Sequence, residues 1–140
     1  MSQQLSSEIS LRIAAWLAAN GPNDKAGAAA LTQAYKQGAN SSAISLAAYL
    51  TTRMPATYAA IYAVLKQAQG VEHSFQPNSL LDIGAGPGTA SFAAKAMWPS
   101  LQSIVMIEQD ARFANLAKYL SPEAQVLHEP LQNMLSLIHI

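Results

Sequence analysis

Three glycines stand at alternate positions in this sequence, between an apolar segment and a segment that favours a helix. Residues 80–90 read LLDIGAGPGTA and place the glycines at Gly84, Gly86 and Gly88. Glycine adopts backbone conformations that other residues avoid, and its missing side chain lets a ligand approach the main chain. The start of the following helix adds a partial positive charge. The spacing therefore predicts a loop that binds an adenosyl or dinucleotide ligand.

Two carboxylates narrow the identity of that ligand. Asp82 precedes Gly84 by two residues and would repel a pyrophosphate, whereas S-adenosylmethionine carries a cationic sulfonium and amino group and no phosphate. Glu108 ends the next apolar segment, where a carboxylate can accept both ribose hydroxyls of an adenosyl group. Asp110 competes for that role but is better placed to cap a helix. The acids favour S-adenosylmethionine.

The glycine spacing itself is GxGxG, because Thr89 stands where the dinucleotide fingerprint GxGxxG has its last glycine, and no phosphate-binding GK[ST] follows. A nicotinamide or flavin cofactor and a purely structural tight turn stay open as alternatives. No Ser/His/Asp set or carboxylate pair indicates a hydrolytic site, the catalytic residues are unknown, and a chain without cysteine has no Cys-ligated metal site. The predicted cofactor-binding residues are Asp82, Gly84, Ala85, Gly86, Gly88 and Glu108.

The elements around the loop alternate in type. Residues 79–83, 103–107 and 124–128 are short and apolar, as expected of strands, and residues 89–97 and 111–120 favour helices. Strands that alternate with helices at this spacing predict a parallel α/β sheet. Residues 75–134 are therefore assigned to the N-terminal half of a Rossmann-like domain.

Residues 1–74 form a predicted helical region. Apolar residues recur at helical spacing before Gly21 and Pro22, an alanine-rich helix follows at 26–37, and a third helix begins at Ser41 or Ser42 and reaches Thr52. Pro55 is expected to keep Met54 out of the helical conformation and to start a fourth helix at 56–69.

Composition limits the possible environments. The net charge is zero and 11% of residues are charged, which argues against a disordered tail or a strongly basic nucleic-acid arm. Residues 1–70 nevertheless carry a net charge of +3, which would suit a polyanion. No stretch predicts a membrane span or a signal peptide, and we expect a cytoplasmic protein.

A second motif lies about 25 residues before the glycine loop, where residues 49–60 read YLTTRMPATYAA. Together with LLDIGAGPGTASFAA it resembles the bacterial relatives of the mitochondrial small-ribosomal-subunit Rsm proteins, over roughly residues 40–120. The resemblance implies a class I methyltransferase fold with S-adenosylmethionine as cofactor. It also implies a link to the small ribosomal subunit or its rRNA. The predicted loop glycines, Asp82 and Glu108 match the family's cofactor residues.

The role of the second motif is open. Arg53, Thr57 and Tyr58 match the family there. In one interpretation Tyr58 packs with Tyr62, four residues on, and Arg53 is solvated. In the other, Arg53 and Tyr58 line the cofactor site or a cleft that faces RNA. Mitochondrial members of the family carry a downstream cysteine cluster suited to a metal, and no such site can be inferred for a chain without cysteine.

The chain is expected to be part of a longer protein, because a complete class I methyltransferase resembles a seven-stranded sheet and only three strands are placed here. Its acceptor half would lie beyond residue 140. Residues 135–140, LSLIHI, correspond to a translated sequencing adapter and are hypothesised not to be biological. The function predicted for the full-length protein is a methyltransferase-like activity in small-subunit rRNA methylation or assembly. A non-catalytic assembly factor and a methyltransferase for a small molecule or protein are the alternatives.

Overall fold

The structure is a computed structural model that describes residues 4–20, 33, 36 and 45–134. The N-terminal elements are α1 (Ser7–Asn20), α2 (Leu46–Ala48), a π-helical turn (Tyr49–Arg53) and α3 (Met54–Val71). They are followed by β1 (Ser79–Ile83), α4 (Thr89–Met97), β2 (Ser103–Glu108), α5 (Ala111–Leu120), β3 (Gln125–His128) and α6 (Leu131–Met134). Most of the predicted helix at 26–37, the two predicted capping serines and residues 135–140 lie outside the described residues.

The three strands form one parallel sheet in the order β1-β2-β3. Leu81 pairs with Val105, and Val105 pairs with Gln125. Parallel neighbours need a crossover connection, and α4 and α5 supply the two that this order requires. The predicted α/β class with a parallel sheet is confirmed, and the sheet is consistent with one half of a Rossmann-like domain.

The N-terminal helices form a second layer over α4 and α5. The largest core cluster contains Ile9, Ile13, Leu50, Met54, Tyr58, Tyr62, Phe92, Ala93, Leu116 and Leu120. Its first six members come from α1, the π-helical turn and α3, and its last four come from α4 and α5. The helical region and the sheet region therefore bury apolar surface against each other, which is the main contribution to holding them together.

The opposite face of the sheet is more open near β1. Leu81 and Ile83 lie on that face and are 46% and 47% exposed, while Met106 on the helix-covered face is buried. The asymmetry follows from the crossovers, since both α4 and α5 connect strands in the same direction and so lie on the same face. Within the described ranges no helix is long and apolar enough to cross a membrane.

One expectation about the helical region is wrong. Met54 is helical, with φ −60° and ψ −46°, and the chain continues through Pro55 without a break. A proline ring normally collides with the carbonyl four residues earlier, but the preceding π-helical turn widens the backbone at that point. Helix α3 also runs past Gly70 to Val71, and Ser45 caps α2 by accepting the backbone N–H of Ala48.

Candidate functional site

The three loop glycines all have positive φ, at +70° for Gly84, +57° for Gly86 and +102° for Gly88. No non-glycine residue in the described ranges has a positive φ. L-residues with a β-carbon rarely adopt this conformation. Glycine is therefore required at these positions by the backbone of the loop, independently of any ligand.

The loop is fixed to the end of β2. The backbone N–H groups of Gly84 and Ala85 donate to the carbonyl oxygen of Ile107, at 2.8 and 3.0 Å. Glu108 is the next residue, so the same contact brings the loop and the predicted ribose-binding acid together. Two sequence segments 24 residues apart thus meet at the carboxyl edge of the sheet, where open α/β sheets bind ligands.

Glu108 faces the glycine loop with its carboxylate. Burial raises its pKa, and repulsion from Asp110 raises it further. The backbone N–H of Gly86 donates to the carboxylate and lowers the pKa, as do the N–H groups of the two residues that follow Glu108. One carboxylate oxygen, Oε2, is buried and has no hydrogen-bond partner. Its acceptor capacity is therefore not used by any described residue.

Thr89 is a buried residue beside the loop that the sequence prediction omitted. It is the first residue of α4, directly after Gly88, and is 3% exposed. Its hydroxyl and Glu108 Oε2 are the two buried side-chain polar atoms without a partner in the described ranges. Buried polar atoms are almost always paired, so an unpaired one requires an explanation. The available signal was a hydroxyl residue at the start of the helix that follows the loop.

Asp82 is directed away from the loop surface, toward α4. Its Oδ2 accepts the hydroxyl of Ser91 at 2.7 Å, and its carboxylate also accepts the backbone N–H of Ser91. Burial raises the pKa of Asp82, and the two bonds from Ser91 oppose that shift. Gly88 is the N-cap residue of α4 and has no side chain that could accept an N–H group of the first turn. Asp82 therefore satisfies a donor in the first turn of α4, and its predicted cofactor contact stays a prediction.

A cleft of about 300 Å³ lies beside the loop. Its lining residues are Ile83, Gly84, Ile107, Glu108, Gln109, Glu129, Leu131 and Gln132. Of the predicted site residues, Gly84 and Glu108 line this cleft. Gly86 reaches it through the bond from its N–H to Glu108, whereas Asp82 and Gly88 face the helix layer. The structure thus separates residues that can touch a ligand from residues that hold the loop.

Comparison with known proteins identifies the family. Residues 43–136 match the family described as mitochondrial small ribosomal subunit Rsm22. The chain belongs to this family. The resemblance predicted from the two motifs is thereby confirmed at the level of the family, whereas its bacterial branch, its methyltransferase chemistry and the expected cytoplasmic location stay predictions.

A human protein also resembles this Rsm22-family chain. The mitochondrial ribosome assembly protein METTL17 of Homo sapiens is 28% identical over 83 residues, which is 59% of the chain. The matched region covers 18% of the human protein, so the chain spans less than a fifth of the length of this relative.

The upstream motif of the Rsm22-family chain packs as in the first of its two interpretations. Tyr58 and Tyr62 are both 2% exposed and stack at 6.1 Å between ring centroids. Burial raises the pKa of Tyr58, which keeps its phenol neutral. The packing interpretation of Tyr58 is confirmed. Arg53 is half-buried in the π-helical turn and Thr57 is exposed.

A second cavity, of about 220 Å³, lies between α1 and α4. Its charged side chains neutralise one another: Arg12 contacts Glu8 at 2.7 Å, and Lys95 contacts Glu123 at 3.5 Å. Such half-exposed pairs contribute little to stability. The cavity offers no net charge to a ligand, in contrast to the acidic cleft beside the loop.

The raised pKa values of Asp82 and Glu108 predict how stability depends on pH. The pKa of each carboxyl is higher in the folded protein than in the unfolded chain, so the folded protein keeps these two protons to higher pH. The resulting stabilisation is fully present below the ordinary pKa values of 3.8 for Asp82 and 4.5 for Glu108. This stabilisation is lost as pH rises through the raised values. We expect the Asp82→Asn/Glu108→Gln variant to lose less stability than the parent over this window.

Urea unfolding at a series of pH values from about 4 to 7 measures this difference. The control is Glu123→Gln, which changes a half-exposed carboxylate beside Lys95. Parallel curves for the parent and the double variant would contradict the prediction, because they would show that neither carboxyl changes its pKa on folding.

Proposed function

We propose that this chain is the cofactor-binding half of an S-adenosylmethionine-dependent, methyltransferase-like protein of the small ribosomal subunit. The observation that carries the proposal is the buried, unpartnered Oε2 of Glu108 beside the glycine loop. A ribose hydroxyl of the adenosyl group would satisfy this oxygen, and Gly84 and Gly86 would support the ligand from the main chain. When bound, S-adenosylmethionine supplies a methyl group on a cationic sulfur.

The position of Asp82 supports this ligand over a dinucleotide. A pyrophosphate binds at the N-terminus of a helix through its free backbone N–H groups and its positive end. In α4 the N–H of Ser91 already donates to the Asp82 carboxylate. A second anion there would lose that donor and meet a negative charge. A cationic sulfonium meets no such repulsion from Asp82 or Glu108.

The ribosomal part of the proposal is supported by the family and by the human relative. The family is described as mitochondrial small ribosomal subunit Rsm22, and the human relative is named as a ribosome assembly protein. The second candidate function follows from that name. In it the protein binds S-adenosylmethionine and assists assembly without transferring a methyl group. Among the described residues we identify no group that would activate a methyl acceptor.

Calorimetry on the full-length protein tests the proposed ligand. We expect S-adenosylmethionine to bind and NAD not to bind, and the reverse result would reject the proposal. Incubation with small ribosomal subunits and a donor labelled in the methyl group then separates the two candidates. Label in the rRNA or in a ribosomal protein indicates an enzyme, whereas cofactor binding without transfer indicates an assembly factor.

Replacing Thr89 with valine is expected to change stability and binding in opposite directions. Valine keeps the shape of threonine and removes a buried hydroxyl that has no partner. The unfolding free energy of the ligand-free protein should stay equal or rise by about 1 kcal/mol, since the cost of burying the hydroxyl is removed. We propose that this hydroxyl bonds the ligand, so affinity for S-adenosylmethionine should fall about threefold to tenfold, the size of one lost hydrogen bond.

Chemical unfolding and calorimetry measure the two effects of the Thr89→Val change. Thr57→Val is the control, because Thr57 is exposed on α3. Unaltered affinity in a correctly folded Thr89→Val protein would mean that this hydroxyl does not face the ligand.

A further inference from the structure

The π-helical turn Tyr49–Arg53 is the irregular part of an otherwise continuous helical segment. A π-helical turn holds an extra residue, and one residue corresponds to a rotation of about 100° in an α-helix. Such turns occur mostly as single insertions and are frequent at functional sites. The turn therefore changes which side chains face the sheet region before and after it.

Two threonines stabilise the wide turn. The hydroxyl of Thr51 donates to the carbonyl oxygen of Ala47 at 2.9 Å, and that of Thr52 donates to the carbonyl oxygen of Ala48 at 2.6 Å. The backbone N–H of Met54 closes the turn by donating to the carbonyl oxygen of Tyr49. These bonds stabilise the backbone of the turn, whose first residue is Tyr49.

Tyr49 contacts both α5 and the space over the glycine loop. Its ring contacts Phe113 edge to face, with 5.1 Å between centroids, in the first turn of α5 after β2. Its hydroxyl lies over the glycine loop, 3.8 Å from the place where a β-carbon on Gly86 would be. The next residue, Leu50, is 2% exposed and lies in the helical core. The turn thus directs one aromatic residue to the loop.

We propose that Tyr49 is a ligand-contacting residue whose hydroxyl bonds the S-adenosylmethionine that rests on Gly86; this inference rests on the function proposed above. The glycine loop offers only main-chain groups, and Glu108 lies on the β2 side of it. Tyr49 supplies a side-chain wall at Gly86 with a polar atom at its tip. The phenol O–H can donate to an anionic group of the ligand, or the phenol oxygen can accept from the amino group of the ligand.

The Tyr49→Phe variant tests this contact in the full-length protein. It keeps the ring packing on Phe113 and removes only the hydroxyl. The melting temperature of the ligand-free variant is measured beside that of the parent, so that a change in folding is distinguished from a change in binding. We expect the dissociation constant for S-adenosylmethionine to rise about threefold to tenfold, the size of one lost hydrogen bond. Tyr49→Leu also removes the ring contact and should weaken binding further.

Tyr62→Phe is the matched control, because it removes a phenol hydroxyl from the same helical segment. The ring of Tyr62 stacks on Tyr58 and not on the loop. The affinity of the Tyr62→Phe protein should equal that of the parent. A parent that does not bind S-adenosylmethionine would reject the proposed function. A parent that binds, with Tyr49→Phe binding equally well, would overturn the role of Tyr49 and leave the proposed function standing.

Discussion

Replacing Glu108 with glutamine is expected to weaken S-adenosylmethionine binding by about tenfold to a hundredfold, the usual range for losing hydrogen bonds to a charged group. Glutamine keeps an acceptor for the N–H of Gly86 and therefore preserves the loop. It removes the negative charge and exchanges one acceptor oxygen for a donor, so the two ribose hydroxyls can no longer both donate to it. Calorimetry on the purified protein gives the dissociation constants directly.

Stability separates this effect from misfolding. The pKa of Glu108 is raised by burial, which means that its ionised form is disfavoured in the folded protein. At neutral pH the Glu108→Gln protein should therefore be at least as stable as the parent. Glu123→Gln, at a half-exposed carboxylate on the far cavity, should change neither property. An unaltered dissociation constant for Glu108→Gln would contradict the contact between Glu108 and the ribose on which the proposed function rests.

Replacing Gly88 with alanine is expected to lower the unfolding free energy by about 2–4 kcal/mol, which is large for a single methyl group. Its φ of +102° disfavours any β-carbon. The added carbon would also lie 3.0 Å from Cε and 3.1 Å from Sδ of Met106, and 3.5 Å from the Phe92 ring. Met106 is buried, so its side chain has little room to move away. Urea or guanidinium unfolding measures the loss.

Substitutions at two other glycines distinguish backbone strain from steric overlap with neighbouring side chains. At Gly84 a β-carbon would meet no atom within 4 Å, although φ is +70°, so Gly84→Ala should cost only the strain, about 1–2 kcal/mol. Gly70 lies in the last turn of α3 with open space around it, and Gly70→Ala should stabilise the helix by about 0.5–1 kcal/mol. Equal losses for Gly88→Ala and Gly84→Ala would show that contact with Met106 adds nothing.

The elements whose signals are local could be predicted from the sequence. The strands, the helices between them and the parallel arrangement follow from apolar spacing and from glycine and proline positions. Asp110 caps α5 as predicted, by accepting the N–H groups of Arg112 and Phe113 at 2.9 and 3.4 Å. The expected break at Pro55 is wrong, because the π-helical turn before it overrides the preference of a residue before proline for an extended conformation.

The candidate site was predictable only in part. The positive φ values of the loop glycines are a property of a few consecutive residues, and the sequence indicated them directly. The sequence also placed Glu108 correctly at the end of β2. It missed Thr89, and it gave no reason to separate Tyr49 from the other residues of its motif.

The sequence by itself determined the glycine loop and the alternation of strands and helices, because each depends on neighbours within a turn or two of the same chain. It offered the packing of Tyr58 on Tyr62 as one of two interpretations, and the structure decided between them. Only the tertiary structure decided which way Asp82 faces, which oxygen of Glu108 lacks a partner, and that Tyr49 lies over Gly86. These features join segments tens of residues apart. Their contacts are set by how the helices pack on the sheet, and local residue preferences do not specify contacts between segments so far apart in the sequence.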